Sequence, residues 1–217
     1  LFVLGGLQGA VGWFMVASGF GERTDVSQYR LTLHLGFALM IYVYALTLAI
    51  RLRWPEAPAS RDAAAVRRGL WGFTGLLVLT LVGGALTAGL NAGMAYNTYP
   101  LMAGELVSGN YGVREPWLVN WVENVAAVQF NHRLLAHLTV AAGLALWLWG
   151  RVARLADPAR RALGWLALGA LGQLALGVLT LLAVVPVWLG AAHQTGALVV
   201  LTLTVWALTR VREPARV

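Results

Sequence analysis

Histidine is the side chain best suited to bind a metal or move a proton near neutral pH, and this sequence holds four: His34, His132, His137 and His193. Three of them recur at one place in a pattern. His34, His132 and His193 each stand near the start of a long apolar stretch, and each such stretch is the second of a pair. At about 1.5 Å of rise per helical residue they lie roughly one to two turns below one surface, at a common depth. Neutral imidazole is a good iron ligand, and two histidines from different helices at one depth can grip a haem from both faces. A lone intramembrane histidine is more often a hydrogen-bonded packing residue. Three in equivalent positions favour ligation.

The surroundings differ from one histidine to the next. Along VQFNHRLLAHLTVAAG, Ala136, Thr139 and Gly143 follow His132 at i+4, i+7 and i+11, so they share its helical face and should leave room for a flat macrocycle. Gly190, Gly196 and Ala197 flank His193 in the same way, and Ala38 stands one turn after His34. Arg133 adjoins His132 and Arg30 precedes His34 by one turn. An arginine at that depth is costly unless paired, and haem propionates are natural anionic partners; snorkelling to the interface is the competing role. His137 sits five residues from His132, about 140° around the helix, so both cannot face one haem, and it reads as a bystander.

Helices must position these residues, and the composition says of what kind. Of 217 residues 59% are hydrophobic and 12% charged, with mean hydropathy +0.69; soluble domains are about 45–50% apolar and about 25% charged. Six apolar runs stand out: Leu1–Phe20, Leu31–Leu52, Leu70–Leu90, Val125–Trp149, Leu163–Val185 and Leu189–Leu208. Each approximates the roughly 20 residues that span a hydrocarbon core. Backbone groups in lipid must be satisfied within the segment, and the runs lack the period-2 alternation of barrel strands, so the expectation is an all-α integral membrane protein with six transmembrane helices in the lipid bilayer. The runs pair into three hairpins. Gln8 precedes Gly12 by four residues as Gln173 precedes Gly177, and the third run carries Gly83, Gly84, Gly89 and Gly93; small residues so spaced let helices approach closely. Repeated hairpins commonly place a ligand site where they meet. The long connection after Leu90, rich in Asn, Tyr, Gly and Pro, is either functional or an interfacial belt through Trp117 and Trp121.

Every one of the 16 basic residues is an arginine, and the formal charge is +7. Twelve fall in three segments: Arg51, Arg53, Arg61, Arg67 and Arg68; Arg151, Arg154, Arg160 and Arg161; and Arg210, Arg212 and Arg216. Those segments share one side in a six-crossing topology. The other side keeps Arg23, Arg30, Arg114 and Arg133 together with Glu22, Asp25, Glu105, Glu115 and Glu123. The basicity is therefore a topology signal, not a nucleic-acid footprint, and it places the arginine-rich side in the cytoplasm. No cysteine is present, which excludes disulfides, thiolate metal sites and iron–sulfur clusters within the chain. The sequence opens at Leu1 inside an apolar run. Histidine pairs need even numbers, so His132 with His193 makes one complete site, and His34 is expected to pair with a residue of a fourth hairpin preceding Leu1.

At this point whole motifs match. QGAVGWFMVASG followed by VSQYRLTLHLG, then AGLNAGMAYNTYPLMAG, VENVAAVQFNHR and AAHQTGAL, all resemble the haem A synthase family, in order, from about Leu4 to about Leu208. The resemblance implies an eight-helix protein made of a pseudo-symmetric pair of four-helix bundles. Residues 1–52 would be what remains of the amino-terminal, substrate-haem bundle, 53–69 a cytoplasmic loop, 70–210 the carboxyl-terminal haem b bundle and 211–217 a cytoplasmic tail. His132 and His193 match the haem b ligands, and His34 matches a catalytic, iron-binding histidine of the substrate half. The implied reaction oxidises a methyl group of haem O to the formyl group of haem A, for haem-copper oxidase assembly. Partners implied are an electron donor and haem O synthase or oxidase assembly proteins, in a bacterial plasma membrane or a mitochondrial inner membrane. The first two family helices, with a glutamate and a His-Arg pair, are not in this sequence, so the fragment is expected to be inactive. The lack of an outer-loop cysteine pair resembles the mitochondrial and alphaproteobacterial branch.

A b-type electron-transfer cytochrome, or a haem carrier without chemistry, would need the same pair of histidines but no second haem site. The topology is open to test separately. Reporter fusions after Arg61 and after Val217 should both report the cytoplasm, and an external signal from either overturns the orientation.

Overall fold

The computed structural model describes residues 2–17 and 26–214. Glu22, Arg23, Asp25 and Arg216 of the charge count lie outside the described residues. The helices are α1 (Phe2–Val16), α2 (Gln28–Arg53), α3 (Ala63–Gly89), the single turn α4 (Asn120–Glu123), α5 (Val125–Val152), α6 (Asp157–Leu182) and α7 (Val187–Arg210). Among the described residues no strand forms, only two isolated bridges. Five helices, α2, α3, α5, α6 and α7, have 24–28 residues and mean hydropathies of 1.3–2.0, long and apolar enough to cross a membrane. The first apolar run forms a described helix of 15 residues. Several helices begin before their apolar runs: α3 starts at Ala63, not Leu70, and α6 at Asp157, not Leu163. Alanine and arginine are strong helix formers, so the hydrogen-bonded ladder continues past the apolar stretch into polar surroundings.

Helices α3, α5, α6 and α7 pack in a closed ring, each against the next, with α7 returning to α3. Helix α2 lies outside the ring against α3 and α7, and α1 lies against α2 with none of its described residues buried. The hydroxyl of Tyr42 on α2 reaches Thr202 Oγ1 on α7 at 2.7 Å. The apolar core is concentrated at one end of the ring, where Val66, Leu70 and Phe73 meet Leu146, Leu163, Leu166 and Leu201. That is also the arginine-rich end. Ser60 N–H donates to Arg212 C=O at 2.9 Å, Arg212 pairs with Glu56, and Arg154 N–H donates to Asp62 Oδ2 at 2.8 Å. Thus the three arginine-bearing segments do meet at one end. The hydrogen bond from the Arg154 backbone N–H, followed by that from its side chain, holds the Asp62 carboxyl below the usual carboxylate range. A carboxyl lowered on folding contributes stability at neutral pH and loses it as pH falls through the folded value, so this tie loosens only in acid. Arg67 caps the carboxyl end of α7 by donating to Leu208 C=O at 2.7 Å, a favourable place for a cation.

Glycine sets how closely α2 approaches the ring. Gln28, at the start of α2, is buried, and a β-carbon on Gly89 of α3 would stand 2.6 Å from its Cα. Because that neighbour is backbone, it cannot swing aside. Gly89→Val should therefore separate α2 from α3 and cost about 1–3 kcal/mol. Gly72→Ala, where nothing lies within 4 Å, should be tolerated. Denaturant unfolding of the detergent-solubilised chain compares the two, and equal midpoints would show that the α2–α3 contact is not tight.

Candidate functional site

The three repeat-equivalent histidines share one packing device. Each lies on the second long helix of a hairpin and rests against a glycine of the first. A β-carbon on Gly12, Gly84 or Gly177 would stand 3.0, 3.1 or 2.7 Å from Cε1 of His34, His132 or His193. One turn before that glycine sits the group that satisfies the ring. Gln8 Nε2 lies 3.1 Å from His34 Nδ1 and donates to His34 C=O at 3.2 Å. Gln173 Nε2 lies 3.1 Å from His193 Nδ1 and donates to His193 C=O at 2.8 Å. In the middle hairpin Thr80 stands in the glutamine's place, and its carbonyl oxygen accepts from His132 Nδ1 at 3.1 Å. The sequence showed Gln8 and Gln173 only as repeat markers. It gave no sign of Thr80, because a backbone carbonyl acts there.

The ring of α3, α5, α6 and α7 brings His132 and His193 together, with ring centroids 6.5 Å apart and planes at 83°. Two imidazoles bound to opposite sides of one metal ion, each through a nitrogen bond of about 2.0–2.1 Å, have ring centres roughly 6 Å apart. The separation of the two rings therefore matches that of a bis-histidine centre. A carbonyl only accepts, so His132 carries its proton on Nδ1 and its Nε2 lone pair is bare. His34 stands in the adjoining hairpin of α1 and α2, away from that pair in the repeat.

Part of the small-residue reading is corrected. Thr139 is buried and its hydroxyl pairs with Thr80 Oγ1 at 2.7 Å. A β-carbon on Gly143 would meet Phe73 at 3.3 Å and Ala170 at 3.7 Å, so this glycine lets α5 close on its neighbours. Gly196 leaves space for Oε1 of Gln173, which a β-carbon would overlap. These residues serve helix packing and the histidine's partner.

Arg133 is committed to the α3–α5 connection. Nη2 donates to Tyr96 C=O at 2.6 Å and to Gln129 Oε1 at 2.9 Å, and Nη1 to Thr98 C=O at 2.9 Å, while Nε is buried with no hydrogen-bond partner among the described residues. Arg30 donates to Phe14 C=O at 2.7 Å and lies 3.9 Å over the Phe14 ring, tying α2 to α1. His137 is occupied at both nitrogens, by Arg133 C=O at 2.6 Å and the Tyr99 hydroxyl at 2.9 Å, and it stacks on Tyr99. The long connection is an ordered cap: Asn124 Oδ1 accepts from Ala126 and Ala127 N–H at the start of α5, and its amide donates to Asn110 C=O and Asn120 Oδ1. Trp117 and Trp121 remain half exposed, in an edge contact at 6.0 Å.

A family model described as cytochrome oxidase assembly protein matches residues 1–205. The chain belongs to the cytochrome oxidase assembly protein family. Among similar proteins, the heme A synthase of Rhodospirillum centenum is 49% identical over 99% of this chain and 57% of its own length. Those of Paramagnetospirillum magneticum and Nitrosospira multiformis are 43% and 40% identical, over 96% and 98% of this chain and 59% and 60% of theirs. The chain thus spans under two thirds of the length of these relatives. No solved structure matches it. Within this assembly-protein family member, Arg133 is the strut between α5 and the connection. Arg133→Ala removes charged hydrogen bonds worth about 1.5–3 kcal/mol each. Amide exchange in residues 96–103 should then quicken by tenfold or more with the five long helices unchanged; unchanged exchange would show that the strut does not hold the loop.

Proposed function

We propose that the chain is part of a haem A synthase that holds haem b between His132 and His193 and handles haem O in the half containing His34. The observation that carries the haem b site is the separation of the two imidazoles, 6.5 Å between centroids on helices of different hairpins. The reaction is supported by the family and by the heme A synthase names of the relatives. In this reading all six apolar runs cross the membrane, as six helices of an eight-helix pair of four-helix bundles. Residues 1–52 belong to the substrate half and 70–210 to the haem b half, joined by the cytoplasmic loop 53–69 and followed by the cytoplasmic tail 211–217. Bacterial relatives and the arginine asymmetry favour the plasma membrane, carboxyl terminus inside.

Haem b, when bound, supplies an iron centre that exchanges single electrons with a donor. The chain's own groups do the rest. Thr80 C=O fixes the His132 tautomer that leaves Nε2 free to ligate. Arg133 Nε is an uncommitted buried donor suited to a propionate; Arg30 is assigned the same role from its place one turn before His34, with its Nη1 already taken by Phe14 C=O. The apolar core beneath the histidines keeps water from the arginine-rich end of the bundle. The presence of His34, seated against Gly12 as His193 is against Gly177, favours two haem sites over a single-haem electron-transfer cytochrome.

The test has a spectroscopic and a chemical arm. His132→Ala and His193→Ala should each abolish the low-spin reduced α-band of bound haem, and His137→Ala should leave it unchanged. A chimera with the amino-terminal segment of the Rhodospirillum centenum relative ahead of Leu1 should yield haem A from haem O in a host lacking the activity. The same chimera with His34→Ala should yield little. Normal haem b with no haem A or hydroxylated intermediate would leave the electron-transfer cytochrome as the better account.

A further inference from the structure

Gln8 and Gln173 repeat one arrangement in two separate hairpins. In both, the side-chain nitrogen faces the histidine ring and the histidine's own carbonyl, and Oε1 is buried with no hydrogen-bond partner among the described residues. An amide NH2 can only donate, so at His193, where Gln173 Nε2 reaches Nδ1, it requires a bare Nδ1 and puts the imidazole proton on Nε2; Gln8 Nε2 lies 3.1 and 3.3 Å from Nδ1 and Nε2 of His34 and selects neither. The His193 tautomer cannot ligate through Nε2. His132 shows the opposite state, with a carbonyl acceptor at Nδ1 and a free Nε2. The two rings facing each other across the bundle are thus in different protonation patterns, and only one is ready for iron.

The geometry points to Gln173 as a positioning residue whose amide turns over when His193 takes iron. The inference rests on the reading of His193 as an iron ligand. A turn of the carboxamide that breaks the Nε2 hydrogen bond to His193 C=O brings the orphaned Oε1 to Nδ1, where it accepts the N–H of the ligating tautomer. The proton leaves Nε2 and sits on Nδ1, and Nε2 becomes the donor atom to iron. Gly196 is the residue that makes room for this amide: a β-carbon there would overlap Gln173 Oε1. An acceptor on Nδ1 also raises the electron donation of the imidazole, so the residue sets the potential of the bound haem as well as its retention.

Three variants of the 217-residue chain, purified with haem, test this: Gln173→Leu, Gln173→Glu and His193→Ala. Haem affinity should fall about 10–100-fold in Gln173→Leu, the usual cost of losing such a partner, with the midpoint potential of the remaining haem shifted upward. Gln173→Glu, a permanent acceptor, should retain haem and shift the potential downward. His193→Ala should lose the low-spin spectrum. If His193→Ala loses it while both glutamine variants keep the parent affinity and potential, the positioning role is overturned and the ligand assignment stands. If His193→Ala keeps it, the ligand assignment fails and the positioning role with it. Should Gln173→Leu not fold, the downward shift in Gln173→Glu decides alone: its presence supports the role and its absence overturns it.

Discussion

A polar ring placed among apolar helices has to find its hydrogen bond on the neighbouring helix, and it finds one only if that helix comes close enough. In this protein glycine provides the approach. Gly12, Gly84 and Gly177 let the rings of His34, His132 and His193 lie against the backbone of the preceding helix, and a residue one turn earlier supplies the polar partner. Without the glycine the ring would be pushed away from its partner, leaving a buried polar group unsatisfied, which costs more than the hydrogen bond itself contributes. The position of each histidine ring follows from that single contact. It is made three times by three hairpins.

The bundle divides along its length. At the arginine-rich end, alanine, leucine and phenylalanine side chains interlock, and backbone N–H groups donating to a carbonyl, to Asp62 and to Ser60 Oγ join the α2–α3 loop, the α5–α6 connection and the tail. At the other end the packed cluster gives way to histidine, glutamine and threonine, and the long connection closes over them through Asn120, Asn124 and Arg133. A rigid end and a polar end suit a cofactor site, since ligands are held best when their supporting helices cannot shift. The outer helices α1 and α2 are less enclosed: α1 buries none of its described residues, and α2 buries Gln28 and Ile50.

Much of this was legible in the sequence, for a physical reason. Lipid leaves no solvent for an unpaired backbone, so long apolar runs form helices, and the arginines between the runs mark the segments that meet at one end of the bundle. The exclusion of His137 from the face of His132 follows from helical geometry alone. What only the tertiary structure decided is what fills a face. Gly143 and Gly196 looked like space for a macrocycle, but one admits Phe73 and its neighbours and the other the amide of Gln173. Thr80 was invisible because its contribution is a carbonyl, which every residue possesses and no side-chain pattern reports. Periodicity says which residues share a side of a helix; which atoms of another helix arrive there is set by packing between segments far apart in the chain, and only the folded bundle fixes that.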